Sequence, residues 1–426
     1  MFAGIDGDHS GGMDPAFVSA KLTTGDPGGP LFPYIESYAA LVRDQGYDPD
    51  TIRLQLRLIR RLDRWLRDKR SGCTRIGDLN ESVIAQFFRR ALKRRWSNPS
   101  HPATLRRLLS MLRGIGAIPS NGEAMPRNPA QRLVDEYRRH LLDQQALSEE
   151  TVACYRRCVA AFLSERFGEG SIELSQLRAS DITKYVQRRA IGRSQSMANI
   201  LVCSLRSFFR YLRYTGQVDA DLATVVPNVA CWSQSGLPKH LATTEVNQVL
   251  AHCHRETGLG RRNYAILLLL ARLGLRACEV ARLNLEDLDW TNAQLTVHGK
   301  GRRSTRLPLP EDVGRAIAQY LDGDRPRCSC RSVFIRDHAP HAGFRRGHAI
   351  SYIVRNAFEK AGVRSVRGAA HVLRHSLATT MLSNGASLDE IGKLLRHKSP
   401  STTAIYAKVE LDALRPLAMR WPGGAL

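Results

Sequence analysis

At 426 residues the chain exceeds one ordinary domain, and two or three are expected. Its 63 Lys and Arg against 40 Asp and Glu leave a formal net charge of +23, a self-repelling balance that points to a polyanionic partner, nucleic acid first and an anionic membrane surface second. The longest apolar run, Tyr264 to Ala271, has eight residues, too few to span a membrane, and reads as a buried helix.

Residues 1–30 are rich in Gly, Asp and Pro, lack periodicity and read as a mobile tail. Asp6, Asp8 and Asp14 stand where a signal peptide would need an apolar stretch, so a cytoplasmic location is expected. The nine cysteines make no Cys-x-x-Cys pair and read as free thiols in a reducing compartment. His252-Cys253-His254 lacks a second ligand pair at zinc-like spacing and is taken as incidental.

The next two segments resemble each other. The first runs through Tyr38, Thr51, Leu79 and Phe87 to Leu112-Arg113; the second runs through Tyr137, Thr151, Leu177 and Tyr185 to Leu212-Arg213. Corresponding residues lie 98 to 100 positions apart, as a duplicated helical domain would place them. Apolar spacing inside each copy is helical, at Leu58, Leu62 and Trp65 and at Val159, Phe162 and Leu163. Arg89, Arg90, Lys93, Arg94 and Arg95 form a basic cluster in the first copy, and Arg188, Arg189 and Arg193 stand at the matching place in the second. Such a run is usually a solvated face; its recurrence in so basic a chain favours contact with a DNA backbone. Residues 228–236 read as a linker, and a third segment opens near Leu237.

Four patches of that third segment carry chemistry. In Leu273-Gly274-Leu275-Arg276-Ala277-Cys278-Glu279, a helix breaks at Gly274 and leaves Arg276 between rigid elements, suited to bidentate grip on a phosphate. Alternation around Gly299-Lys300-Gly301 predicts a β-hairpin with Lys300 near its tip, although an exposed edge lysine would look the same. In His371-Val372-Leu373-Arg374-His375, helical spacing presents His371 and Arg374 on one face while Leu373, Leu377 and Met381 face the core. His371 and His375 stand i,i+4 as zinc ligands can, but the glutamate of the zinc motif is missing and Arg374 would oppose a cation, so no metal is assigned. The last patch joins a capping box at Ser387-x-x-Glu390, His397 at the end of its helix, and a new helix from Pro400 carrying Thr402, Thr403, Ile405 and Tyr406.

In this order the patches resemble the tyrosine recombinase (phage integrase) family. Leu-Gly-Leu-Arg276-x-x-Glu is similar to its first arginine box, and Gly299-Lys300-Gly301 with Arg306-Leu-Pro-Leu to its hairpin lysine. His371-x-x-Arg374-His375 is similar to the second box. Leu395-Arg396-His397 followed by Ser401-Thr402-Thr403-x-x-Tyr406 is similar to the nucleophile box. One departure is visible: Arg396 stands where the family commonly has glycine.

The resemblance implies a mainly α fold with a small β-sheet. A core-binding, SAM-like domain at 127–218 would precede an α+β catalytic domain at 237–418 and a tail at 419–426, and the internal duplication adds a further N-terminal helical DNA-binding domain at 31–122. The resemblance further implies a site-specific recombinase that joins Tyr406 to a DNA 3′-phosphate without metal, ATP or other cofactor. Arg276 and Arg374 would clamp the non-bridging oxygens, His371 act as base, Lys300 as acid and His397 as a positioning donor. The partner is double-stranded DNA, and the active unit a homotetramer on two sites. The apolar series Val409, Leu411, Leu414 and Leu417 would dock on a neighbouring subunit or on its own domain. A type IB topoisomerase, a non-catalytic accessory protein and a metal-dependent transposase or nuclease are the competing classes. The tilt is towards a mobile-element enzyme.

Overall fold

The computed structural model describes residues 29–67, 75–90, 100–119, 128–168, 170–229, 239–299, 304–344, 346–364 and 369–408. They fall into two compact units, one drawn from 1–122 together with 237–426 and the other from 123–236. The mobile tail (save its last two residues), Lys93, Arg94, Arg95, Lys300, Gly301, the C-terminal apolar series and the tail at 419–426 lie outside the described residues.

The first helical segment comprises α1 (Ile35–Asp44), α2 (Pro49–Leu66), a 3-10 turn at Ile76–Asp78, α3 (Glu81–Arg90) and α4 (His101–Gly114). Asp48 starts α2 by accepting the Thr51 N–H at 2.8 Å, with Pro49 at the first helical position. Tyr38, Ile59, Leu62, Phe87 and Leu112 meet in its core. Gly29, counted with the tail in the sequence, is anchored: the buried Asp63 carboxylate accepts its N–H at 3.1 Å and that of Leu31 at 2.7 Å.

The second unit repeats the succession, with α5 (Pro129–Asp143), α6 (Glu149–Phe167), a 3-10 turn at Leu174–Gln176, α7 (Ala179–Ala190), α8 (Gln195–Tyr214) and a short α9 (Leu222–Val225). Ser148 and Ser194 cap α6 and α8 through the N–H groups of Thr151 and Met197. Its core is aromatic: Tyr137 packs on Phe208 at 5.2 Å and Phe162 meets Tyr185 and Phe209 edge-on. The equivalent positions Tyr38 and Tyr137, Leu79 and Leu177, Phe87 and Tyr185, and Leu112 and Leu212 are all buried.

The third segment is built on α11 (Gly258–Arg272), preceded by α10 (Thr243–Ala251). Every residue from Ala265 to Ala271 is buried, so this stretch of the helix has no solvent face and others pack round it. After α12 (Ala277–Ala281) the chain forms an antiparallel sheet of β1 (Leu288–Asp289), β2 (Gln294–His298) and β3 (Ser304–Pro308). The register pairs Leu295 with Leu307, and Leu295, Val297 and Leu307 turn into the core as period-two alternation requires. The predicted hairpin is thus β2–β3. Helices α13 (Glu311–Gly323), α14 (Gly347–Lys360) and α15 (Ala369–Ser383) close the main core against α11 and α12. Then α16 (Leu388–Leu395) and α17 (Pro400–Thr403) fold over the far end of α15.

That last region has a small core of its own, made by Ala378, Leu382, Ile391, Leu395 and Tyr406. Leu377 and Met381, expected in the main core, pack here instead, because α15 serves one core with its first half and another with its second. The helix expected to run from Pro400 through Tyr406 stops at Thr403, and Tyr406 opens a separate 3-10 turn to Lys408. The interruption lets the tyrosine ring turn inward onto Ile391 and Leu395.

The helix break at Gly274 is also present. Gly274 has φ +57, and a Cβ there would lie 2.6 Å from Leu395 Cδ2 and 3.1 Å from Leu377 Cδ2. Gly274→Ala would therefore strain the backbone and push α16 off its seat. We expect urea unfolding to show a loss of about 1–3 kcal/mol. An unchanged midpoint would contradict this packing.

Candidate active site

Three helices supply the site, two of them at an end. Arg276 stands at the N-terminus of α12, Arg374 lies in the middle of α15, and Arg396-His397 follow the last turn of α16. Arg374 is 3% exposed, and its guanidinium donates to the Gly274 and Leu395 carbonyl oxygens. Those carbonyls belong to the broken end of α11 and the end of α16, where oxygens lack helical partners. One buried cation thereby ties α15 to both. Burial and the neighbouring charges of Arg276 and Arg396 bring its pKa down to about 10, so it remains cationic at neutral pH.

Arg276 is aimed by Glu279. The Glu279 carboxylate accepts the Arg276 backbone N–H at 2.8 Å through one oxygen and its guanidinium at 2.7 Å through the other. Arg396 also donates to Glu279, at 2.8 Å. Burial alone would raise the Glu279 pKa; the Arg276 N–H and the two cations outweigh it and hold the carboxyl below its ordinary value.

Tyr406 is 1% exposed, and its hydroxyl lies 2.8 Å from His375 Nδ1 in a hydrogen bond. The His397 ring stacks on the tyrosine at 6.4 Å, and His397 Nδ1 bonds the Thr403 hydroxyl at 2.8 Å. Burial pushes the phenol's pKa up, while the charges of Arg374 and Arg276 pull it back by favouring phenolate. Both imidazoles are driven the other way. His375 falls to about 4 through burial, His371, Arg374 and His240, and His397 to about 4 through burial and the charges of Arg374, Arg276, His375 and Arg396. His371, one turn before His375 with 6.4 Å between the rings, reaches the surface. Desolvation, Arg374 and Arg276 lower its pKa as well.

The structure therefore brings Arg276, Arg374, His371, His397 and Tyr406 into one cluster from stretches 130 residues apart in the chain. Lys300 lies outside the described residues. Arg89 and Arg90 end α3, exposed. Arg188 and Arg189, on α7, both pair with Glu165, so this carboxylate already holds two of the arginines expected to face a DNA backbone; Arg193 is exposed beyond them. On α8, Arg206, Arg210 and Arg213 line one cleft beside the exposed Tyr214, a basic patch the sequence did not single out.

Three residues of the site went unassigned in the sequence. His375 stands in the sequence within the second box and as a rejected zinc partner of His371, with no role of its own. Glu279 carried a signal, its three-residue spacing from Arg276, which is that of a capping box. Arg396 was visible as a departure without a consequence.

Residues 239–412 match the family model described as the phage integrase family, and 134–216 match that of the phage integrase N-terminal SAM-like domain. The protein y4rA of Sinorhizobium fredii, whose name includes integrase/recombinase, is 43% identical over 412 residues, 96% of this chain and 99% of y4rA. The tyrosine recombinase XerC of Lactobacillus delbrueckii subsp. bulgaricus is 31% identical over 294 residues, covering 66% of this chain and 96% of XerC. Among solved structures, XerH site-specific recombinase bound to a palindromic difH substrate in a post-cleavage complex superposes with a TM-score of 0.54 at 18% identity. The match covers 71% of this chain and 91% of that one, and shows the fold.

The depressed histidines make the site acid-sensitive. An ordinary histidine titrates near 6.5, whereas His375 and His397 in the folded chain wait until about 4. Between those values the unfolded chain binds more protons, so stability is intact above pH 6.5 and is lost as pH falls towards 4. Denaturant titrations at pH 7.5 and 5 should show a lower midpoint at pH 5, and the double variant His375→Gln, His397→Gln should show a smaller drop. An equal drop in both would refute the assignment.

Proposed function

The chain belongs to the phage integrase family, the tyrosine recombinases, and we propose that it cuts and rejoins double-stranded DNA through a 3′-phosphotyrosine formed on Tyr406. As a member it is a site-specific recombinase; the route through Tyr406 is our reading of the cluster. What supports the reading is that the Tyr406 hydroxyl feels the charge of two guanidinium groups, Arg374 bonded to backbone carbonyls and Arg276 to Glu279.

In the reaction the Tyr406 oxygen forms a bond to the scissile phosphorus and the bond to the 5′-oxygen breaks. A phenol is a weak nucleophile near neutral pH, so its proton must be taken as the bond forms. His371, neutral and at the surface, takes it, while His375 holds the hydroxyl in its resting place. The 5′-oxygen leaves with a proton from Lys300, and rejoining reverses each transfer. Arg276 and Arg374 hold the non-bridging oxygens where negative charge grows, and His397 helps place them. Because the phosphodiester's energy is kept in the phosphotyrosine, rejoining needs no ATP, and the guanidiniums serve where a metal ion otherwise would.

Since Tyr406 is buried at rest, docking of DNA must draw its 3-10 turn outward. The exposed arginines of α3 and α7 and the basic cleft on α8 supply backbone contacts for the duplex. Assembly as a tetramer on two sites, in the cytoplasm, completes the proposal; among the described residues no helix is long and apolar enough to cross a membrane. A place in a mobile element follows the likeness to integrases.

A nicked duplex, built on a sequence the protein itself selects, loses its 5′ fragment after cleavage and traps the covalent product. The wild-type chain should accumulate adduct in EDTA, Tyr406→Phe none, and Arg374→Ala at a rate lower by about 10²- to 10³-fold, the cost of one transition-state donor. An adduct formed by the phenylalanine variant would overturn the role of Tyr406.

A further inference from the structure

Arg396 breaks a local rule. It occupies the left-handed position that closes α16, with φ 55 and ψ 49, and it is held in a Schellman turn. Its own N–H donates to the Lys393 carbonyl at 3.1 Å, and the His397 N–H to Gly392 at 3.0 Å. Glycine fits this position without strain, whereas an L side chain does not. A residue kept in such a conformation points to a contact that repays it.

The contact lies across the fold. The Arg396 side chain is 10% exposed; one terminal nitrogen donates to the Leu394 carbonyl at 3.0 Å and the other to Glu279 at 2.8 Å. Its Nε is buried without a partner among the described residues, so the guanidinium keeps unspent donor capacity in the site. Glu279 in turn holds Arg276. One buried carboxylate is therefore shared between two guanidiniums, and Arg374 stands within electrostatic reach of all three.

Sharing has a chemical consequence. A carboxylate paired with Arg276 alone would cancel its charge and compete with a phosphate for its N–H groups. Divided between Arg276 and Arg396, the same carboxylate still aims Arg276 but neutralises less of it, and the three arginines with Glu279 carry +2 in place of +1.

We propose that Arg396 is a positioning residue for strand cleavage: by sharing Glu279 it releases Arg276 to the scissile phosphate. It acts through Glu279 and needs no contact with DNA. The proposal rests on the tyrosine chemistry above and deepens it.

The test compares single-turnover adduct formation on the nicked duplex with equilibrium binding of the same DNA. Arg396→Gly relieves the backbone, so the fold by circular dichroism and the binding constant should stay near wild type. The cleavage rate should fall on the order of 10- to 100-fold, the scale of one charge removed from a partly buried site. Arg396→Lys, which keeps the charge, should recover part of the rate. The decisive arm is Glu279→Gln in the Arg396→Gly background. Removing the competing charge should restore cleavage relative to Arg396→Gly alone, whereas a purely structural role would make the two losses multiply. Multiplied losses, or an Arg396→Gly chain as fast as wild type, would overturn the proposal. A wild-type chain that formed no adduct would instead sink the tyrosine chemistry itself.

Discussion

A guanidinium shut away from water must have its N–H groups met, and in this protein the helix ends meet them. Among the described residues no carboxylate is directly bonded to Arg374; the carbonyls of Gly274 and Leu395 accept from it. Each exists as a free acceptor only because a helix stops there, one at a left-handed glycine and the other just before Arg396. The site's geometry follows from that constraint. The break after α11 delivers Arg276 two residues later, and the turn after α16 delivers His397 two residues after Leu395. Removing the buried cation would leave two orphaned carbonyls and three elements with less reason to converge.

Electrostatics then sorts the remaining groups. Burial first, and then the neighbouring charges, lower the pKa of His371, His375 and His397 and favour their neutral forms. Neutral imidazoles can accept a proton or orient a hydroxyl. The same cations favour a phenolate that burial disfavours, which makes the ionisation of Tyr406 depend on how far it stands from its apolar seat. In the proposed mechanism a tyrosine packed on Ile391 and Leu395 is inert, and one turned towards the arginines is activated. The small core that holds it is separate from the main one.

Much of this was legible in the sequence wherever the signal was local. The uninterrupted apolar run gave α11, alternation around a glycine-flanked turn gave β2–β3, and the break at Gly274 and the Ser387–Glu390 capping box stand as read. The 98–100-residue offsets fell on positions that are buried alike in both helical segments. What escaped was contact between distant stretches. The Arg396–Glu279 pair joins residues 117 apart and the His375–Tyr406 bond residues 31 apart, and neither has a periodicity. Tyr406 read as helical because the Pro400 start was sound; tertiary burial of the ring overrode the continuation. Arg188 and Arg189 looked free because their partner, Glu165, sits on another helix.

In the proposed mechanism one phosphate is held by side chains that the sequence keeps far apart. A crystal structure of the protein on its own DNA site, inspected at the scissile position, addresses this most directly. We predict non-bridging oxygens within hydrogen-bond reach of both Arg276 and Arg374, with the Tyr406 oxygen in line behind the phosphorus. A scissile phosphate seated away from the two guanidiniums, or approached by a different nucleophile, would contradict it.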